Sequence, residues 1–398
     1  MTILFLTMFI IMVGFGVIMP ILPYYAEKMG ASATELGLLT ATYATLQFFF
    51  APIWGRISDR VGRKPVLLLG LFGFAFTFLG FGLSTELWML FAARGISGLI
   101  SSATLPTVMA YIADTTDNEH RGDGMGVLGA AMGLGMIFGP VIGGFLGEFD
   151  ASVPFYVSAA LALMIAVSSI FFLPETLSLE ARQAANANPR KGSGIGDILA
   201  VLAGPLAFMM LIAFLTSFGM AQMESTSALF YERKFGAGEA EMGLIFMVMG
   251  VISSITQGFF VGRVIRKFGE QRCIQVGLLG AGVCFLIYPL INSVMSAIMV
   301  ISVMGITTAF LRPAINSLIS KRTSMSEQGK ILGVVNSYYS LGRMLGPITG
   351  GIIFDYMGLS WPFLTASLIH FIALAFSVLL LKSTGMIKTS AVQKTAAK

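Results

Sequence analysis

Four charged residues stand where charge is hardest to place. Glu224, Arg94, Arg312 and Arg343 each lie inside a long apolar run, away from its ends. An ionised side chain in hydrocarbon is costly, so such residues face a cavity, pair with one another or carry protons. Glu224 is the one acid of this chain so placed. Glu27, Glu35, Glu86, Glu148, Glu232, Glu241 and Asp355 sit at the ends of apolar runs and can reach water. Glu224 falls about seven residues from the expected outer end of its run, roughly 10 Å at the helical rise. A carboxylate at that depth can load a proton on one side and release it on the other. We expect Glu224 to be the coupling or cation-binding acid, against the simpler alternative of a structural pair with a buried arginine. Arg94 is expected to be functional, and Arg312 and Arg343 to line a cavity or satisfy an acid. His370, in the last run, is expected to be structural.

A second cluster of chemistry lies at Gly55–Lys64, where Asp59 sits among Arg56, Arg60, Arg63 and Lys64 between Gly55 and Gly62. Glycines let two helices and a turn approach closely. Asp59 can accept hydrogen bonds from an arginine or from the free N–H groups at a helix start. Asp114 is the expected partner of Arg60 or Arg63. A third pattern, Gly135, Gly139, Pro140, Gly143 and Gly144, should pack one helix tightly against a neighbour from the other half of the chain, with Pro140 kinking it. The chain has no phosphate-binding loop of the G-x-x-x-x-G-K-S/T type, which argues against direct ATP use. It has no nucleophile–base constellation and no metal-ligand spacing, so we expect neither an enzyme nor a metal site. The expected cofactors are none, the coupling ion being a proton.

The elements that carry these residues follow from composition. The chain is 56% hydrophobic and only 11% charged, against about 25% charged in soluble domains. Spanning helices need about 20 apolar residues, and twelve such runs are predicted at 3–26, 35–56, 66–84, 87–112, 124–147, 153–173, 202–230, 241–263, 272–291, 294–320, 330–354 and 361–382. Of the 25 basic residues, 19 fall in one set of loops plus the C-terminal tail and 3 in the alternate loops. That bias puts both termini in the cytoplasm. The start, MTILFLTMFI, lacks a basic region and a cleavage site and is expected to be a retained first helix. The basic residues sit in short loops rather than on one face, which argues against nucleic acid. Cys273 and Cys284, in one run, are expected to be inert.

The sequence also repeats. Residues 135–144 and 342–351 both read G-x-x-x-G-P-x-x-G-G, an offset of 207 that also relates Gly98 to Gly305, Pro106 to Pro313, Gly126 to Gly333, Glu148 to Asp355, and Gly55/Gly62 to Gly262/Gly269. The expected fold is an all-α membrane protein of twelve transmembrane helices in two pseudo-symmetric six-helix bundles. The expected units are 1–174, a cytoplasmic linker at 175–200, 201–384, and a cytoplasmic tail at 385–398. Duplicated apolar halves with a site at their interface are the pattern of a secondary transporter.

The segment Gly55-Arg-Ile-Ser-Asp-Arg-Val-Gly-Arg-Lys64 resembles the signature G-x-x-x-D-R-x-G-R-K of the major facilitator superfamily. The helix 5 motif at 135–144 and Gly16-x-x-x-Pro20-x-x-Pro23 resemble the drug:proton antiporters within it. IMPILP, ISDRVGRKPVLLL and YIADTT resemble the Gram-positive quinolone and multidrug exporters, with tetracycline exporters as near relatives. Helix 4 reads Arg94-x-x-Ser97-Gly98 where the family has R-x-x-Q-G. Met12 and Thr77 stand where the tetracycline exporters carry acids, Glu224 matches the helix 7 acid of the multidrug relatives, and Ala309 replaces a second acid. The resemblance implies a latch role for the 55–64 loop in the outward-open state, a gate role for helix 5, and a role for Arg94 in proton transfer and substrate binding. Asp59, Asp114, Arg94 and Glu224 are thus the proton-coupling candidates.

A drug pocket should be largely apolar with a few polar groups. The expected lining is Tyr43, Gln47, Phe48, Phe138, Gln222, Met223, Gln257, Asn336 and Tyr339 together with Glu224, Arg312 and Arg343. The leading expectation is a monomeric, proton-coupled exporter of lipophilic, often cationic drugs in a bacterial cytoplasmic membrane. A narrow-substrate exporter (one antibiotic such as tetracycline, a sugar or a lipid) is the alternative, and a non-transporting membrane sensor a remote one.

Overall fold

The structure is a computed structural model that describes residues 2–117, 120–180, 182–183, 206–324 and 327–396. Most of the linker expected at 175–200, and the last two residues of the tail, lie outside the described residues. Twelve long helices follow one another. They are α1 (Thr2–Lys28), α2 (Ala33–Val61), α3 (Arg63–Gly82), α4 (Leu87–Thr115), α5 (Arg121–Gly147), α6 (Val153–Phe172), α7 (Ala207–Phe235), α8 (Glu239–Phe268), α9 (Glu270–Leu290), α10 (Val294–Lys321), α11 (Gln328–Met357) and α12 (Trp361–Ala396). Eleven of them are long and apolar enough to cross a membrane, and the remaining one, α11, has 30 residues.

The predicted spans fall on these helices, with instructive departures. The loop expected at 55–64 is mostly helix. α2 runs on through Asp59 to Val61, and the single residue Gly62, at φ 124°, joins it to α3. The second half repeats this at Gly269, φ 82°, between α8 and α9. α7 ends at Phe235, beyond the predicted 230, because Glu232, Arg233 and Lys234 continue the helix up to Gly236 at φ 71°. A left-handed glycine is the common end of a helix. Two other irregularities share one cause. α4 tightens to a 3₁₀ turn at Ser101–Ala103, and α10 is interrupted at Ala309–Phe310. A proline ring clashes with the carbonyl four residues back. For Pro106 and Pro313 those carbonyls belong to Ser102 and Ala309.

Helix packing in lipid relies on small residues rather than on hydrophobic exclusion. A Cβ on Gly139 would lie 2.5 Å from the Val13 carbonyl oxygen and 2.7 Å from Gly16 Cα. Gly135 and Gly143 meet Met12 and Val17 of α1 in the same way. Only Gly144 turns to the other half, where it meets Glu239 and Ala240 of α8. The helix 5 motif therefore packs on two neighbours: three of its glycines meet α1 of their own half, while Gly144 and the Pro140 carbonyl oxygen, 2.5 Å from where a Cβ on Gly243 would lie, meet α8 of the other half as expected. The copy in α11 does the same: Gly342, Gly346 and Gly350 pack on α7, and Gly351 meets Ala33 of α2. Arg343 does not loosen this contact, because it lies off the glycine stripe.

The two sets of six helices are joined at one end, around the 29–32 turn. There Tyr24 Oη donates to the Ala237 carbonyl at 3.0 Å, Lys28 pairs with Glu239 at 3.3 Å, and Arg233 pairs with Glu27 at 2.9 Å. Asp355 of α11 accepts from the Ala33 and Thr34 amides at 3.2 and 2.8 Å and from Thr34 Oγ1 at 2.6 Å. It thereby caps α2 from across the interface, where a carboxylate complements the helix dipole. At the opposite end Gly122, Gly126 and Gly129 of α5 and Gly329 and Gly333 of α11 have nothing within 4 Å of a Cβ position. The cleft between the halves opens towards that end.

Two tests follow from this packing. Gly16→Val should lower the melting temperature of the detergent-purified protein, because overpacking costs about 1–3 kcal/mol. Gly129→Ala should leave it unchanged or raise it. Asp355→Asn should loosen the joined end. In a Cys273→Ser/Cys284→Ser background, a cysteine at Thr34 should then react several-fold faster with a membrane-impermeant maleimide. An unchanged rate would mean that the cap does not hold that end.

Candidate proton and substrate site

Glu224 lies deeper than the sequence suggested. With α7 ending at Phe235, it is 11 residues from the helix end, roughly 16 Å at the helical rise. Its side chain is partly exposed, within electrostatic reach of Arg343 on α11. Arg343 also acts on Tyr43 of α2 and Arg94 of α4. Arg343 thus lies within electrostatic reach of Glu224 in its own half and of Tyr43 and Arg94 in the other. Gln47 donates to Tyr43 Oη at 3.0 Å. Arg94 is buried, with its guanidinium 5.6 Å from the ring centres of both Tyr43 and Phe81. Its Nε has no hydrogen-bond partner among the described residues. Aromatic faces offset part of the cost of a cation held away from water.

A second group sits on α10 and α11. Arg312 is exposed, donates to Asn336 Oδ1 at 3.1 Å and stands 5.0 Å from the centre of the Tyr339 ring. The Tyr339 hydroxyl is buried without a partner among the described residues. Asn336, Arg343 and Pro347 fall on one face of α11 by the helical repeat. That face looks to the first half, since the Pro347 carbonyl oxygen would lie 2.2 Å from a Cβ on Gly37.

Of the other expected lining residues, two are packed into the protein. Gln222 is buried, donating to Thr349 at 3.2 Å and accepting from Thr365 at 3.0 Å, so its amide is used up between α7, α11 and α12. Met223 is fully buried in the core. Phe48 is partly exposed, packed edge-on against Phe49, and Phe138 is half exposed beside Phe9. Gln257 is exposed on a π-helical segment of α8, Thr256–Val261. His370 is buried against the Ala366 carbonyl oxygen at 2.8 Å and beside Phe285, away from the charged cluster.

At the open end, Arg63 organises the α2–α3 corner. It donates to Asp59 at 2.6 Å, to Asp114 at 2.8 Å and to Ser58 at 2.7 Å. Arg63 rather than Arg60, which is exposed, is the partner of Asp114. The free amides at the start of α3 go to a residue the sequence reading passed over. Glu175 accepts from the Arg63 and Lys64 amides at 2.9 and 3.2 Å and pairs with Arg182 at 3.3 Å. Burial pushes its carboxyl up, but the amide bonds of Leu177, Arg63 and Lys64 and the Arg182 charge outweigh this and hold it below the usual carboxylate range. The second half carries the same corner with its charges reversed. At the 207-residue offset Asp59, Arg63 and Asp114 become Arg266, Glu270 and Lys321, and Lys321 pairs with Glu270. Applying the repeat to charges as well as glycines would have found it.

Comparison with known proteins agrees with this architecture. The profile of the Major Facilitator Superfamily matches residues 4–343 and 295–396. The chain is 31% identical over 376 residues to Multidrug resistance protein 2 of Bacillus subtilis (strain 168), covering 94% of each. It is 32% identical over 387 residues to the class B Tetracycline resistance protein of Escherichia coli, covering 95% of this chain and 94% of that one. A bacterial homolog to the human lysosomal transporter Spinster, solved in an inward-facing and occupied conformation, has the same fold with TM-score 0.79 at 17% identity, covering 96% of each chain. By profile, relatives and fold, the chain belongs to the major facilitator superfamily.

Proposed function

We propose that this chain is a proton-coupled secondary transporter that exports lipophilic, drug-like molecules across the bacterial cytoplasmic membrane by alternating access. The relatives named for multidrug and tetracycline resistance support the substrate class. The observation that carries the coupling is Glu224, a lone carboxylate at mid-depth in the cleft, beside an arginine whose charge reaches both halves. With Glu224 ionised, the Arg343 charge is partly neutralised. With Glu224 protonated, Arg343 is left to draw on other acceptors. Proton loading and substrate release are then linked through one guanidinium. No metal or organic cofactor enters the scheme, and the protein acts as a monomer.

The excess of basic residues in the loops of the open end supports a cytoplasmic position for that end and an outside position for the joined end, with Asp355 and the Glu27–Arg233 pair. The moving bodies are residues 1–174 and 201–384. In the outward-open state the open end must close. The Asp59–Arg63–Asp114 corner then comes against the second half as a latch, and the free glycine faces of α5 and α11 become buried as a gate. Arg94, stacked on Tyr43 and Phe81, joins Glu224 in passing the proton.

Proteoliposomes with an imposed pH gradient test this reading, with efflux of lipophilic cationic and anionic dyes followed in parallel. Glu224→Gln should reduce gradient-driven efflux by at least about tenfold through loss of the coupling step. Efflux at the wild-type rate in that variant would remove Glu224 from the scheme. Asp59→Asn should slow transport several-fold while leaving equilibrium dye binding intact. An equal loss of binding would mean that the corner shapes the site rather than the gate.

A further inference from the structure

The cleft holds more positive charge than export of cations requires. Among the described charged residues of α1–α11 about two turns or more from any helix end, three are arginines, Arg94, Arg312 and Arg343, and one is an acid, Glu224. Glu224 has Arg343 within its electrostatic reach. Arg94 is spent on two aromatic rings. Among the described residues Arg312 has no carboxylate partner: it donates to the neutral Asn336. A guanidinium in a membrane-embedded cleft without a counter-charge is a costly arrangement that persists when a ligand supplies the charge.

The surroundings of Arg312 are built for an acceptor. Asn336 turns its oxygen to Arg312, which leaves its amide N–H groups free. The Tyr339 hydroxyl is buried and donates to nothing described. Guanidinium, amide and hydroxyl together offer hydrogen atoms and no anionic acceptor. Guanidinium donors in a fixed fork match a carboxylate bidentately. Asn336 and Arg343 share the α11 face that looks across the cleft, two helical turns apart, so an anionic group at Arg312 would leave the rest of a ligand lying towards Arg343 and Tyr43.

We infer that the substrates of this transporter are amphiphiles that carry an acid group, a carboxylate or its like, which Arg312, Asn336 and Tyr339 hold at the cytoplasmic side of the cleft. This rests on the reading of the cleft as the substrate path. Arg312 and Asn336 set which molecules enter, and Glu224 remains the proton carrier.

The test is equilibrium dialysis of purified protein in detergent, without a gradient, against pyrenebutyrate, its methyl ester and tetraphenylphosphonium. The acid should bind at least about tenfold tighter than the ester, the scale of a charge-assisted pair in a dry site. Arg312→Gln should abolish that preference while ester binding and melting temperature stay near wild type, and Arg312→Lys, which keeps the charge, should retain part of it. Equal binding of acid and ester, tighter binding of the phosphonium, or a preference that survives Arg312→Gln would overturn the inference. The gradient-driven efflux assay separates this from the transport reading. Dye efflux without an acid preference sinks the inference alone. An Arg312-dependent acid preference without any driven efflux sinks the transport reading and leaves the site standing.

Discussion

Hydrocarbon offers nothing to a polar group, and the rest of this structure follows from that. Backbone groups must be satisfied within each helix, and the breaks in α4 and α10 have a cause. Pro106 and Pro313 break α4 and α10 where their rings meet a carbonyl. Charges obey the same rule. Those at helix ends reach water or one another, and the four that do not are gathered on faces turned to the cleft or stacked on aromatic rings.

The halves share a frame and differ in chemistry. Both pack one glycine-striped helix on the helix that opens the half, α5 on α1 and α11 on α7. Both turn the corner after their second helix on a single left-handed glycine. Aromatic packing repeats as well: Phe78 and Phe81 in the first half correspond to Phe285 and Tyr288 in the second, each inside a ring cluster. Side-chain charge does not repeat. The corner triads are reversed in sign, and Glu224 has Val17 as its counterpart in α1. Duplication preserved what packs and released what reacts.

The twelve spans were legible because a bilayer demands length and apolarity, and both can be counted in a sequence. Glu224, Arg94 and Arg343 were legible for the same reason, since a charge in an apolar run announces itself. Helix ends were less so. Charged residues at the end of α7 read as loop, yet Arg233 is helical and ties the halves together through Glu27. Rotation about each helix was not legible at all. Gln222 and Met223 neighbour Glu224 in sequence but face the packed side of α7, and nothing in a list of residues states which face that is. Glu175 went unseen because its role depends on the start of α3, more than a hundred residues earlier in the chain.

The corner at Gly62 has a mechanical meaning. One residue between two long helices gives no slack, and the Glu175 carboxylate oxygen that would lie 2.4 Å from a Cβ there fills the inside of the bend. From Asp59 back to Tyr43 the chain is unbroken helix, 16 residues or about 24 Å. A helix of that length, clamped by Arg63 at one end and carrying Tyr43 and Gln47 at the other, works as a lever. A displacement of the corner by another part of the molecule is carried along this helix towards the charged cluster, and Pro52, which removes one backbone hydrogen bond midway, marks where the lever can bend.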